Sequence, residues 1–199
     1  MAKDNNISGV ILAGGTNSRF GGKIKANEVI GGEKIISRII KTIGNIFSEI
    51  IIVTNTPQEF TQFSEYIITG DYFQKTGPLG GIHAAMKVST REAVFVFAGD
   101  MPFINDELIY KQISYYHSCH TEAVIPEVEG MIEPLHGVFR NTLLERLETY
   151  LSLQKDYAIR DFIKDVDVNF FKLMPSPETT KAFFNINSPS GAEEALRLL

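Results

Sequence analysis

The stretch GVILAGGTNSRFGGKIKA, residues 9 to 26, begins as a strand and continues into a glycine-rich loop. Its first residues, up to Ala13, are apolar almost throughout, which is typical of a strand covered on both faces. Two glycine pairs follow, together with the cations Arg19, Lys23 and Lys25. Glycine-rich turns after a first strand commonly bind phosphate groups. This stretch therefore indicates an α/β fold with an anion-binding loop after its first strand.

Neither of the two common phosphate-binding patterns fits this loop. A Walker loop would need a glycine where Asn17 stands and a serine or threonine where Ile24 stands. A dinucleotide-binding fingerprint would need a glycine in place of Thr16. The loop therefore has to be interpreted from its individual residues.

The glycine pair and the cations suit a nucleotide. At Gly14 and Gly15 no side chain prevents the backbone from approaching a planar base or a phosphate. Arg19 and Lys25 can donate charge-assisted hydrogen bonds to phosphate oxygens. Lys23 competes with Lys25 for this role. If the loop is considered alone, the alternative to a nucleotide-binding loop is a flexible surface turn whose cations are solvated.

Length and composition set the bounds on the protein class. A chain of 199 residues is long enough for one well-packed domain, and we expect a single domain over residues 1 to 199. The net charge of −5 argues against broad nucleic-acid binding. No apolar run approaches the roughly 18 residues of a membrane span, and the first residues show no apolar targeting core. With a single cysteine, Cys119, this predicts a cytoplasmic protein without membrane contact.

Strand and helix patterns alternate along the chain. Ile35, Ile39, Ile43 and Phe47 recur every four residues, which predicts a helix packed on a sheet. The other predicted helices cover residues 80–88, 105–116, 142–151 and 157–163, with Asn105 as the N-cap of the second of these. Ser188 is expected to cap a last helix that has Pro189 at its first position. The predicted strands cover residues 7–13, 49–53, 66–68, 93–98, 123–125, 135–139, 166–171 and 182–186. We therefore expect a Rossmann-like, mostly parallel (mixed) sheet with helices on both faces.

Polar residues follow several of these strands directly. Asn55 follows the second strand, Asp71 the third and Asp100 the fourth. In an open parallel sheet, ligands bind beyond the carboxyl ends of the strands, where these groups and the basic loop would meet. Mg²⁺ favours one or two carboxylates together with phosphate oxygens. The combination predicts a site for a nucleotide with Mg²⁺.

The order and spacing of these motifs resemble one family of nucleotidyltransferases with a GT-A-like fold. The motifs are LAGG from Leu12, SRFG from Ser18 with Lys25 after it, GPLGG from Gly77, GDMP from Gly99, PLH from Pro134 and NINSP from Asn185. In this order they are similar to the molybdenum cofactor guanylyltransferase (MobA) family, and the resemblance covers most of the chain. It implies transfer of GMP from Mg-GTP to the phosphate of molybdopterin that carries molybdenum.

The resemblance also implies roles for individual residues. The stretch Leu12, Ala13, Gly14 and Gly15, together with Asn55 and Asp71, would face the guanine nucleoside. Lys25 would face the phosphates with Arg19 nearby, and Asp100 would bind Mg²⁺. His136 would line the pocket of the second substrate, and Asn185 and Asn187 would lie near the metal or on the side of the second substrate.

Two other functions remain open from the sequence. A related nucleotidyltransferase could use CTP, or act on a sugar phosphate or another cofactor precursor. A protein without catalytic activity could bind the nucleotide and deliver cofactor to apo-molybdoenzymes or their delivery partners. The LAGG motif favours guanine by resemblance, and the presence of both Lys25 and Asp100 favours an enzyme.

Overall fold

The computed structural model describes residues 3 to 14, 24 to 153 and 157 to 199. Its strands are β1 (Asp4–Leu12), β2 (Val29–Ile30), β3 (Glu33–Lys34), β4 (Phe47–Val53), β5 (Ile67–Thr69), β6 (Ala93–Ala98), β7 (Ala123–Val128), β8 (Met131–Ile132), β9 (Val138–Arg140) and β10 (Val168–Leu173). Its α-helices are α1 (Ile35–Ile43), α2 (Pro78–Val88), α3 (Asp106–Ser118), α4 (Leu144–Leu153), α5 (Ile159–Phe162), α6 (Pro177–Ala182) and α7 (Pro189–Arg197).

The main sheet has the strand order β10-β7-β9-β6-β1-β4-β5, and β8 pairs with β7. Strand β1 pairs in parallel with both β4 and β6. Strand β9 is antiparallel to both of its neighbours, β6 and β7, while β10 is parallel to β7. The sheet is therefore mixed and mostly parallel, as predicted. Strands β2 and β3 form a small separate antiparallel pair.

Two apolar layers cover the sheet, one on each face. Strand β6 is buried at all six positions, because both layers pack against it. On one face, Ile35 and Ile39 of α1 lie in the same cluster of core residues as Ile109 of α3. On the other face, Leu79 of α2 and Leu147 of α4 form a second cluster. The predicted placement of helices on both faces is confirmed.

Two helix starts follow the predicted capping chemistry. The Asn105 side chain accepts a hydrogen bond from the backbone N–H of Leu108, so it caps α3 as expected. The Ser188 side chain accepts from the N–H of Gly191, with Pro189 at the first position of α7. Within the described ranges, no helix combines the length and the apolar content that crossing a membrane requires.

Two predictions of secondary structure are wrong. Phe47 does not continue the helical stripe, because α1 ends before Gly44 and Phe47 begins β4, where it is still buried. Residues 182–186 do not form a strand. Helix α6 occupies Pro177–Ala182 instead, and its start is fixed by a capping box between Ser176 and Thr179.

Candidate functional site

Three polar side chains meet at the carboxyl edge of the sheet. The ammonium group of Lys25 donates to Oδ2 of Asp100 at 2.8 Å and to Oδ1 of Asn187 at 2.5 Å. The side chains of Lys25 and Asp100 retain 23% and 17% of their accessible surface. The cluster is thus open to solvent on one side. Its members come from widely separated parts of the chain, and the structure brings together three of the predicted site residues.

Asp100 is fixed by the strand before it and by a late segment of the chain. It follows the buried strand β6 after one glycine, Gly99. Its backbone carbonyl accepts a hydrogen bond from the N–H of Ile186 at 3.0 Å. Ile186 is buried, whereas Asn187 next to it is exposed and precedes the cap of α7. A buried anchor therefore holds Asn187 beside Asp100.

Gly99 permits the close approach of three chain segments. Its N–H donates to the carbonyl of Leu12 at 3.0 Å. A Cβ atom at Gly99 would lie 2.7 Å from that same oxygen and 3.2 Å from atoms of Ala13 and Ala26. Any larger residue would push the end of β1 away from the end of β6. The absence of a side chain thus sets the spacing between Asp100 and the start of the predicted phosphate loop.

The residues that follow β4 and β5 form a second polar pair. The Asn55 amide nitrogen donates to Oδ2 of Asp71 at 2.8 Å, and the backbone N–H of Asp71 donates to Oδ1 of Asn55 at 2.9 Å. The two bonds hold both side chains in one orientation. As β4 and β5 are parallel neighbours, the pair lies at the same edge of the sheet as Asp100.

The start of the glycine-rich loop lies between these two groups. Ala13 is buried and donates its N–H to the carbonyl of Val53 at 2.9 Å. Gly14 is exposed, and among the described residues no atom would lie within 4 Å of a Cβ added there. The half-buried Leu12 side chain packs against Gly81 of α2. Backbone at Gly14 is therefore accessible to a ligand. The predicted residues Gly15 and Arg19, and the alternative Lys23, lie outside the described residues.

His136 does not line an accessible pocket, contrary to the expectation for the second-substrate side. Its side chain is fully buried, and its Nδ1 atom lies 3.1 Å from Oε1 of the buried Gln112. The rings of Phe95, Phe97 and Phe183 surround it edge to face, each with its centroid 5.2 Å away. Burial lowers the pKa of His136 to about 4, so the imidazole is neutral at pH 7.

The half-buried side chain of Asn185 donates from Nδ2 to the carbonyl of Phe183 at 3.0 Å, two residues before it in the chain. The sequence analysis does not single out Glu133. This residue is half-buried beside the end of β7, and burial raises the pKa of its carboxyl group. The acidic residue before a Pro-Leu-His turn is its only signal in the sequence.

A comparison with known proteins identifies the family. Residues 9–169 match the model of the MobA-like NTP transferase domain. The probable molybdenum cofactor guanylyltransferase of Natranaerobius thermophilus is 34% identical, over 98% of this chain and 97% of its own length. The molybdenum cofactor guanylyltransferase of Desulfosudis oleivorans is 30% identical, over 95% and 94%.

Solved structures show the same fold. The molybdopterin-guanine dinucleotide biosynthesis protein A of Archaeoglobus fulgidus superposes with a TM-score of 0.81 at 22% identity, over 96% of this chain and 97% of that one. The 4-diphosphocytidyl-2C-methyl-D-erythritol synthase of Anaerococcus prevotii gives 0.71 at 18% identity, over 96% and 95%. Family match, full-length relatives and fold agree, and the chain therefore belongs to the MobA-like NTP transferase family and is a nucleotidyltransferase.

Proposed function

We propose that this enzyme transfers GMP from Mg-GTP to the phosphate of molybdopterin that carries molybdenum. The products are the guanine dinucleotide form of the cofactor and pyrophosphate. The names of the Natranaerobius and Desulfosudis relatives support guanine and the molybdenum cofactor. The observation that carries the proposal is the cluster in which Lys25 joins Asp100 and Asn187 at the centre of the ligand-binding edge.

The nucleoside part of GTP would lie on the side of β4 and β5. The Asn55–Asp71 pair presents fixed amide and carboxylate groups there. The exposed backbone at Gly14 can contact a base edge without a side chain between them. A site that hydrogen-bonds one base leaves polar groups unpaired with another, which is a physical basis for choosing GTP over CTP.

The residues of the cluster are compatible with Mg²⁺. Asp100 supplies a partly exposed carboxylate and Asn187 an amide oxygen, and both are hard oxygen ligands. Among the described residues no group of three or more acidic, histidine or cysteine side chains could bind a metal. Mg²⁺ would be held by Asp100 together with phosphate oxygens and water, a mode this ion commonly uses. When bound, it would neutralise charge on the α-phosphate and the pyrophosphate.

The remaining chemistry rests on position and charge. An oxygen of the acceptor phosphate attacks the α-phosphorus of GTP, and the bond between that phosphorus and the oxygen bridging to the β-phosphate breaks. The acceptor is already anionic near pH 7, so the reaction needs no general base. Lys25 lies where it can donate to phosphate oxygens, and Asp100 keeps its ammonium group in place. We assign the same role toward phosphate to Arg19.

We also propose the setting of the reaction. The cytoplasm is a reducing compartment in which the free thiol of Cys119 is stable. The product would pass to cofactor-delivery proteins or directly to apo-molybdoenzymes, since such a cofactor is used inside another protein.

The proposal is tested with the purified protein, Mg²⁺, one nucleotide and Mo-molybdopterin. We expect pyrophosphate release and a guanine dinucleotide product, identified by mass spectrometry, with GTP and not with CTP or ATP. Sugar phosphates serve as alternative acceptors. Faster turnover of a sugar phosphate, or equal turnover with CTP, would assign the enzyme to a different reaction of this family.

A further inference from the structure

A carboxylate without a hydrogen-bond donor among the described residues lies on the other side of Asp100 from the Asn55–Asp71 pair. Glu133 follows β8, and its backbone N–H donates to the carbonyl of Pro126 in β7 at 2.9 Å. Strand β8 pairs with β7, and β9 pairs with both β7 and β6. The segment from 129 to 140 therefore returns between β7 and β6, and Glu133 lies next to the carboxyl end of β6.

The backbone of Glu133 is held rigidly by the buried core. Its carbonyl accepts a hydrogen bond from the N–H of His136 at 3.0 Å. His136 is itself fixed by Gln112, whose Nε2 donates to the His136 carbonyl at 2.8 Å. Gly137 accepts from the N–H of Val96 in β6 at 2.8 Å, which ties the turn to the strand that leads to Asp100. These hydrogen bonds fix the position of the Glu133 backbone before any ligand binds.

The side chain of Glu133, in contrast, is not satisfied within the part of the chain that the structure describes. Its carboxylate is half-buried and accepts no hydrogen bond there. Arg160 of α5 lowers the carboxyl pKa, but by less than burial raises it. A partly desolvated carboxylate that accepts no hydrogen bond from the described residues is available to a ligand that supplies donors.

We propose that Glu133 binds the donor edge of the pterin ring of the second substrate, an assignment that rests on the proposed function. A pterin presents a ring N–H and an exocyclic amino group side by side, and a carboxylate can accept both at once, as it accepts the two parallel bonds of arginine. Glu133 lies in the segment between β7 and β6, about one strand spacing from the end of β6, so its backbone and that of Asp100 are on the order of 5–10 Å apart. This distance suits a fused ring whose phosphate reaches Asp100.

Guanine carries the same pair of donors, so the sheet order decides between the two rings. The Asn55–Asp71 pair lies on the β4 and β5 side of Asp100, and Glu133 lies on the β7 side. One heterocycle fits on each side when the two phosphates meet at Lys25 and Asp100. The guanine nucleoside is assigned to the first side, which leaves the pterin for Glu133.

The test compares Glu133→Gln with the wild type and with Glu129→Gln, a matched change at an exposed residue of the same hairpin. Glutamine keeps the size of the side chain but replaces one acceptor with a donor. We expect Glu133→Gln to raise the KM for Mo-molybdopterin roughly 10- to 100-fold while the Kd for Mg-GTP is unchanged. Glu129→Gln should leave both quantities at the wild-type value. An increase in the Kd for GTP instead would assign Glu133 to guanine and overturn the proposal.

A binding measurement keeps the inference separate from the proposed reaction. Pterin and lumazine differ at one position, where lumazine has a carbonyl instead of the amino group. Wild-type protein saturated with Mg-GTP should bind pterin at least roughly 10-fold more tightly than lumazine by fluorescence titration, and Glu133→Gln should lose this preference. Equal binding of both rings by the wild type overturns the role of Glu133. If the ring preference holds but no transfer to Mo-molybdopterin occurs, the proposed reaction fails and the pterin contact stands.

Discussion

The ammonium nitrogen of Lys25 lies 2.8 Å from Oδ2 of Asp100, although 75 residues separate the two in sequence. The contact connects the loop after β1 with the end of β6, two strands that are parallel neighbours in the sheet. Both side chains are partly exposed, so phosphate oxygens can reach the lysine without unfolding of the surroundings. The carboxylate keeps the cation at the place where the two anionic substrates would meet in the proposed reaction.

Replacing Lys25 with alanine should lower the rate of GMP transfer by roughly 30- to 1000-fold. Removal of one group that stabilises charge in the transition state costs about 2–4 kcal/mol. The melting temperature should hardly change, since a partly exposed ion pair contributes only about 0–1 kcal/mol. Lys87→Ala is the control, because Lys87 also pairs with a carboxylate, that of Glu148, but lies on α2 away from the cluster. A near wild-type rate for Lys25→Ala, with Lys23→Ala inactive, would move the phosphate contact to Lys23.

Asp100→Asn should abolish Mg²⁺-dependent transfer while the protein stays folded. Asparagine retains the shape and one oxygen for Lys25, but it loses the charge that attracts the metal. Pyrophosphate release measured across a Mg²⁺ titration provides the readout, with Asp106→Asn, an exposed acid at the start of α3, as the control. A wild-type rate with wild-type Mg²⁺ dependence would exclude Asp100 as the metal ligand and leave Asp71 as the next candidate.

Asn55 and Asp71 should act as one unit in GTP binding. The Asn55 side chain takes part in both hydrogen bonds, so Asn55→Ala releases the Asp71 carboxylate, whereas Asp71→Ala leaves Asn55 held only by the backbone N–H of residue 71. We expect Asn55→Ala and Asp71→Ala each to weaken Mg-GTP binding, and the double variant to be little worse than the poorer single one. Calorimetric titration with GTP measures the Kd of the wild type, of the two single variants and of the double variant. Additive losses would show that the two residues contact the nucleotide independently.

Gly99→Ala should destabilise the protein and impair transfer together. The added methyl group would lie 2.7 Å from the carbonyl oxygen of Leu12, and the resulting shift of backbone should cost about 1–3 kcal/mol. Gly191→Ala provides the matched control, since a Cβ there has only ordinary contacts, the nearest at 3.5 Å, and alanine is favoured within a helix. Urea denaturation of both variants measures the difference, and equal stability of the two would contradict the packing argument.

Stability should fall on acidification in a way that depends on His136. Its pKa is about 4 in the folded state against an ordinary value of 6.5, so the unfolded chain binds the proton first. The contribution of the neutral His136 ring to the free energy of unfolding is fully present above pH 6.5. As the pH falls from 6.5 to 4, the free energy of unfolding decreases by on the order of 3 kcal/mol. His136→Gln should unfold with a flatter dependence on pH in this window. NMR titration of the His136 ring in the wild type measures its pKa in the folded protein directly. A pKa near the ordinary value of 6.5 would contradict the conclusion that burial lowers it.

Much of the fold follows from local sequence patterns. The uniformly apolar residues Ala93–Ala98 predict the central strand β6, and Asn105 predicts the start of α3. Phe47 repeats at the helical interval of the preceding helix, and the pattern misleads there because a helix facing the core and a buried strand both require an apolar residue. In residues 182–186, apolar content favours a strand, although the Ser-Pro start of α6 just upstream is a capping signal for a helix.

The site is predictable where it depends on strand ends and not where it depends on side-chain direction. Parallel strands place Asn55, Asp71 and Asp100 at one edge, and the structure shows them there. The inward rotation of His136 depends on Gln112, which is 24 residues away in the sequence and belongs to another element. A polar residue in a turn ordinarily faces solvent, so no local pattern indicates that this one is enclosed by three aromatic rings.

The contact between Lys25 and Asn187 spans 162 residues, so the cluster is completed late in translation. The last strand of the sheet, β10, ends at Leu173, and every strand can therefore pair before Asn187 leaves the ribosome. A nascent chain can therefore complete its main sheet while the pair of Lys25 and Asp100 still lacks Asn187. The cluster, and with it the proposed activity, is completed only when the segment around Ile186 attaches to the backbone of Asp100.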